Sequence, residues 1–500
     1  MSRYFGLFFV LVLLATPFAY SQDFTACENG SADGYACDSI NLYQNMSLSA
    51  MNATYANDIW GWTDPMNGNE YALVGLSDGT AFVDISDPDV PVFLGKMPSA
   101  TGSSLWRDIK VYENHAFVVA DNAGDHGMQV FDLTRLRSVT NPPQTFTADA
   151  NYNGVSGNRP NGSHNIAINE DSGFAYIVGS GDCAGGLHIV NIQIPTSPTF
   201  AGCFSGDGYT HDVQCVTYTG SDADYSGSEI CVASNTDTIT IIDVTNKANP
   251  VMVSQGLYPN PGYTHQGWFT EDQRFFLVDD ELDHPASPTT RTIIIDLEDL
   301  DNPSFDFFYF GPEDTRDHNL YVRGHFAFLS NYSGGLRVVD LTNIESGVLS
   351  EVGFFDTFPT NDDYNFDGQW SNYPFFPSGT IIATDQNNGL FILTTTFPIT
   401  TDATAPVETP GEDGYALSSA YPNPFGDDTR LTLSVARAQH VTVVVLDITG
   451  RRVATVYDGT VTPGASTTLK IDGAGLPSGL YLVRVSGEDF STTRRISLVR

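Results

Sequence analysis

Gly79-Thr-Ala-Phe-Val-Asp84 alternates small, aromatic and β-branched residues and ends on an acid. It returns as Met128-Gln-Val-Phe-Asp132, Leu187-His-Ile-Val-Asn191, Ile239-Thr-Ile-Ile-Asp243, Thr292-Ile-Ile-Ile-Asp296, Leu336-Arg-Val-Val-Asp340 and Leu390-Phe-Ile-Leu-Thr394. The ends of successive copies differ by 48, 59, 52, 53, 44 and 54 residues, which suits four short strands and their turns. A second phrase keeps the same phase: Asn57-Asp58-Ile59, Arg107-Asp108-Ile109, His164-Asn165-Ile166, His211-Asp212-Val213, His265-Gln266-Gly267, His318-Asn319-Leu320 and, loosely, Asp367-Gly368-Gln369. Two markers in step predict an all-β chain built as a seven-bladed β-propeller, because a radial array hides the strand edges that an open sheet would expose. A solenoid is the alternative, with a shorter repeat and capped ends.

Working outward, residues 1–21 read as a signal peptide, with an apolar run too short to span a bilayer and small residues before Gln22. Residues 22–50 form an N-terminal extension whose alternating segment from Ile40 to Ser49 is placed to complete the last blade. The propeller is assigned to 51–398 and a Pro-rich linker to 399–413. Residues 414–500 carry a second set of alternating strands, expected to fold as a small antiparallel, Ig-like β-sandwich.

Sixty acidic against 22 basic residues give a formal charge of −38, which excludes a phosphate-neutralising surface and makes nucleic acid a poor partner. The acidity is uneven: from Gly411 onward nine acids balance nine bases. Six cysteines in an exported chain favour disulfides, read between neighbours as Cys27–Cys37, Cys183–Cys203 and Cys215–Cys231, although six cysteines allow 15 connectivities. A zinc site is the alternative, without the usual short thiolate spacing.

Four consecutive repeats place histidine at one equivalent position, so His164, His211, His265 and His318 are candidates for a shared channel mouth, with Asp58, Asp108, Asp212, Asp317 and Asp367 nearby. Imidazoles beside carboxylates ligate transition metals or move protons; the structural alternative is that each side chain fastens one blade to the next. Three loops repeat the opening of a calcium site: Asp222, Asp224 and Ser226; Asp149, Asn151 and Asn153; and Asp363, Asn365 and Asp367. None has the closing glutamate of an EF-hand, and Asx turns explain the same pattern. The run Asp279-Asp280-Glu281-x-Asp283 reads as a solvated loop, with a cation-binding rim as the alternative. Trp60, Trp62, Trp106, Trp268 and Trp370 lie beside the channel phrase and read as packing residues, with carbohydrate stacking as the lesser reading. The common hydrolase, nucleotide and zinc-protease signatures are absent from the sequence.

The propeller resembles the choice-of-anchor B family of LVIVD-repeat proteins through Gly162-Ser-His-Asn-Ile166, Asp207-Gly-Tyr-Thr-His-Asp212, Gly262-Tyr-Thr-His-Gln-Gly-Trp268, Asp279-Asp-Glu-Leu282, Asp317-His-Asn-Leu-Tyr321 and Tyr373-Pro-Phe-Phe-Pro-Ser-Gly379. The tail resembles the type A C-terminal sorting domain of type IX secretion through Tyr421-Pro-Asn-Pro-Phe425, Gly450-Arg-Arg-Val453, Gly479-Leu-Tyr-Leu-Val-Arg484 and the basic end from Arg494-Arg495 to Arg500. These resemblances imply export through the periplasm and display or release at the cell surface, with the secretion machinery as partner and no transmembrane anchor in the mature chain. They imply no reaction. The expectation is a non-catalytic binding module for an unknown surface ligand or polymer, the alternative a metal-dependent hydrolase or lactonase at the His/Asp mouth. Calcium or a transition metal is the candidate cofactor.

Overall fold

The computed structural model describes residues 24–283, 287, 289–399 and, in the C-terminal part, 414–417, 420, 428–447, 451–462, 467–473, 475–477, 479–488 and 490–498. The segments read as signal peptide and, nearly entirely, as linker, and the Tyr421–Phe425 motif, lie outside the described residues.

The repeated phrase becomes the third strand of each of seven antiparallel sheets among the described residues, from Gly79–Asp84 to Gly389–Thr395. Its near-continuous apolar run has a physical cause: the third strand packs on both faces, and all but its last residues are buried. The terminal acid is explained locally. Asp84, Asp132, Asn191, Asp243, Asp296 and Asp340 each accept the backbone N–H two residues on, at 2.8–3.0 Å, an Asx turn that ends the strand in the first five, while the strand of Asp340 runs on to Asn343. Six sheets also carry a register shift between the third and outermost strands, for example at Phe82/Val83 and Ile241/Ile242. Such bulges increase the twist that each sheet needs to stack beside its neighbour.

The first strands, Ala56–Thr63, Arg107–Tyr112, Asn165–Asn169, Asp212–Thr217, Thr264–Phe269, Asn319–Arg323 and Gln369–Tyr373, touch one another in a closed circuit. The last sheet takes its outer strand from the N-terminal side: Ile40–Met46 pairs antiparallel with Gly389–Thr395. This joins the two ends of the propeller by backbone hydrogen bonds. Tyr35–Asp38 similarly extends the sixth sheet at Val348–Phe355. The three neighbouring cysteine pairs are bonded, Cys27–Cys37, Cys183–Cys203 and Cys215–Cys231, the last directly across adjacent strands.

In the C-terminal part, Tyr415–Leu417, Asp428–Val435 and Thr467–Asp472 make one sheet, and Arg452–Val461, Gln439–Asp447, Gly479–Ser486 and Ser491–Leu498 the other. Alternate residues of both, including Leu431, Leu433, Val443, Val483 and Ile496, share one core, as a sandwich requires.

Removing residues 24–46 leaves Gly389–Thr395 as an open edge. The truncated propeller is expected to unfold at lower temperature and to self-associate in size-exclusion chromatography, whereas a monomer with unchanged melting would contradict the closing role.

Candidate functional site

The start of each first strand sets the geometry of one mouth of the ring. His164, His211 and His318 immediately precede their strands and His265 is the second residue of its own. Their rings form a row: centroids are 4.4 Å apart for His164 and His211, 4.1 Å for His211 and His265, and 4.6 Å for His265 and His318. Trp370 and Tyr332 close the row at 4.7 and 4.5 Å from His318. All four histidines line a cavity of about 480 Å3.

The hydrogen bonds of these rings run through Nδ1. His211 Nδ1 donates to the His265 carbonyl at 3.0 Å, His265 Nδ1 to the His318 carbonyl at 2.9 Å, and His318 Nδ1 to the Trp370 carbonyl. His164 Nδ1 meets Asp121 Oδ2 at 3.1 Å. A carbonyl only accepts, so Nδ1 carries the hydrogen in three of the rings and Nε2 keeps a lone pair in the neutral form. Burial, followed by the neighbouring imidazoles, holds His211 well below the ordinary value of 6.5. Burial is also the chief cause that brings His265 and His318 down to about 3. His211, His265 and His318 are therefore held as neutral imidazoles.

The carboxylates fall differently from expectation. None of Asp58, Asp108, Asp212, Asp317 and Asp367 lines the histidine cavity. Asp58 and Asp108 fasten sheets, accepting the backbone N–H of Ile109 and Ile166 from the next sheet at 3.0 and 2.7 Å. Lys110, which the sequence reading missed, bonds Asp108 and lies 4.0 Å from Asp58. Burial and the Asp108 charge push Asp58 well up, whereas at Asp108 Lys110 and hydrogen bonds overcome the effect of burial and lower it. Asp212 borders the other cavity, and burial raises it to about 7. Asp317 accepts the Arg291 N–H at 2.7 Å and burial raises it to about 8. Asp367 is exposed in its loop.

Besides Asp121 at His164, the carboxylates at the histidines come from the acidic run read as a solvated loop, which is instead largely buried. Asp279 and Asp280 end the strand Phe275–Asp280 and are 2% and 0% exposed. Asp280 accepts the N–H groups of Gly262 and Tyr263 at 2.7 and 2.6 Å, and Asp283 pairs with Arg291 at 2.9 Å. Asp279 Oδ1 lies 2.8 Å from His265 Nδ1. Glu281 lines the cavity and accepts the Tyr332 hydroxyl at 2.7 Å. The available signal was hairpin spacing: Asp279-Asp-Glu281 lies at the end of the strand that pairs antiparallel with the one carrying His265.

A second cavity, also of about 480 Å3, is bordered by Trp60, Lys110, Trp268, Tyr321 and Phe375. Trp60 and Trp62 are core residues, while Trp106 and Trp370 line the histidine mouth. The calcium-loop pattern does not gather its ligands. Asp149 is paired with Arg135 at 2.8 Å, and Asn151 sits within the strand Ala150–Tyr152. Asp363, Asn365 and Asp367 lie in a run of turns in which Asn361 and Asn365 accept backbone N–H groups. Asp222 caps a short turn through Asp224 N, and its neighbours in space are Asp299 and Asp301 rather than Asp224 and Ser226.

Residues 419–499 match the family described as a secretion system C-terminal sorting domain, and residues 163–205 and 223–256 match the LVIVD repeat. No curated protein matches the chain. Among solved structures, a protein from Lactobacillus plantarum is similar at 12% identity and a TM-score of 0.44, over 79% of this chain and 96% of its own. A functionally unknown protein from Desulfotomaculum acetoxidans is similar at 13% identity and 0.40, over 60% and 85%. A computationally designed protein is similar at 8% identity and 0.40, over 67% and 82%. The tail marks the chain for export to the cell surface or release, and the three disulfides fit that oxidising side. No helix among the described residues is long and apolar enough to cross a membrane.

Replacing Lys110→Met leaves the buried Asp58 and Asp108 without their cation, and is expected to cost about 3 kcal/mol in urea unfolding, the low end for a broken buried pair because the amine borders a cavity. His211 gives a pH dependence. Between 6.5 and its depressed folded value the unfolded chain binds the extra proton, so stability falls as pH drops below about 6.5. The raised Asp317 acts oppositely, losing stability as pH rises through about 8. Comparing wild type with His211→Asn isolates the imidazole: the variant's stability curve should be flatter below pH 6.5, by up to roughly 1.4 kcal/mol per pH unit.

Proposed function

We propose that this exported propeller is a non-catalytic binding module that takes a surface polymer at the histidine mouth. One observation carries the reading: the buried imidazoles of His211, His265 and His318 line one cavity together with exposed apolar side chains, Leu105 at 45%, Tyr209 at 39% and Phe366 at 50% exposure. Isolated exposed apolar residues need no explanation, but three around one cavity define a contact surface. Aromatic rings stack on the C–H faces of sugars, and Nε2 lone pairs accept hydroxyl protons, so a hydroxyl-rich polysaccharide suits both layers. A metal-dependent hydrolase at the same mouth is the second reading, favoured by the carboxylate of Glu281 beside His265 and His318, where an ion would activate water.

The full mature chain is expected to bind polysaccharide purified from the producing cell surface and to release it unhydrolysed. Tyr209→Ala with Phe366→Ala should weaken binding at least tenfold without change in melting. Unchanged affinity overturns the mouth as the binding site, and shortening of the polymer favours the hydrolase. Delivery is tested separately: deleting residues 411–500 should trap a folded propeller in the periplasm, and secretion at the normal rate would refute the sorting role.

A further inference from the structure

We propose that the floor of the histidine mouth is a divalent transition-metal site held by His265, His318 and Glu281. The proposal rests on the mouth being the functional surface, and it adds what the mouth holds. One ligand atom from each residue lies within 4.8 Å of the other two. An ion about 2.0–2.2 Å from each ligand sets tetrahedral ligands about 3.3–3.6 Å apart, so atoms within 4.8 Å of one another close on it by side-chain shifts of about an ångström.

The support behind these ligands matches what a metal-bound imidazole needs. His265 and His318 each spend Nδ1 on a backbone carbonyl, which fixes the ring and leaves Nε2 unpartnered. Asp279 adds a carboxylate 2.8 Å from the same His265 Nδ1, and its Oδ2 is buried without a hydrogen-bond partner. A carboxylate behind a ligating histidine raises the basicity of the ring. Glu281 is oriented by the Tyr332 hydroxyl through Oε1. His211, whose ring lies 4.1 Å from that of His265, has its Nε2 unpartnered and is the neighbouring nitrogen for a fourth position. Two imidazoles and one carboxylate favour zinc, copper, nickel or iron over calcium and magnesium.

Two other clusters lack this construction. In the group of Asp182, Cys183 and His188, the sulfur is in a disulfide and both ring nitrogens are engaged, by Asp182 and the Tyr152 hydroxyl. In the group of Asp222, Asp299 and Asp301, Asp222 and Asp299 already cap backbone N–H groups, and Asp299 and Asp301 are exposed.

The test uses the full mature chain, stripped with chelator and titrated with Co2+ by absorption and with Zn2+ by calorimetry. One ion per chain is expected, with four- or five-coordinate Co2+ bands and a higher melting temperature. Glu281→Gln keeps an oxygen for Tyr332 and should weaken Zn2+ binding at least 100-fold with unchanged circular dichroism, while Asp222→Asn leaves it as in wild type. No binding, or binding equal in Glu281→Gln, overturns the site. Should Glu281→Gln fail to fold, the wild-type Co2+ spectrum decides: bands like those of the hydrated ion overturn the proposal. Polysaccharide binding in chelator separates the two claims, because a metal-free chain that still binds through Tyr209 and Phe366 removes the metal and keeps the mouth.

Discussion

Closing a ring of sheets buries the polar backbone of seven first strands against one another, and each exposed N–H or C=O there must find a partner on the next sheet. The molecule meets this with side chains at one repeated position. Asp58 and Asp108 accept N–H groups from the following strand, Gln266 both donates to and accepts from Leu320, and the histidines donate to carbonyls. Thr384 donates to the Asn57 carbonyl and joins the seventh sheet to the first.

The same fastening produces the chemistry of the mouth. A histidine that gives Nδ1–H to a carbonyl is set in one tautomer, and burial keeps it neutral. Charged rings at the 4.1 and 4.6 Å that separate His211, His265 and His318 would repel, whereas neutral ones pack without that cost. In His211, His265 and His318 one ring nitrogen thus ties a sheet to the next, and the other is not used in that contact.

The chain is also divided by charge. The whole net charge lies before Gly411, most of it in the propeller, while the sorting part is balanced and has its own core. Negative potential around the mouth favours cations there, and it opposes phosphate-rich partners.

The period of the repeat, the third strands and the neighbouring cysteine pairs were legible because each depends on local order: alternation, an Asx turn two residues long, a short loop closed by sulfur. The phase of the histidines was legible for the same reason. The positions of carboxylates were not. Asp108 and Asp149 read as site residues until Lys110 and Arg135 arrive beside them, and Asp279 to Asp283 read as solvent-facing until the strand from Phe275 carries them under His265. Sequence alone determined the unit and its repetition, since these follow from patterns a few residues long. Only the tertiary structure decided which charge is neutralised and which nitrogen is engaged, because side-chain direction settles the first and the second is set by carbonyls 52–54 residues away that the closed ring brings within hydrogen-bond distance.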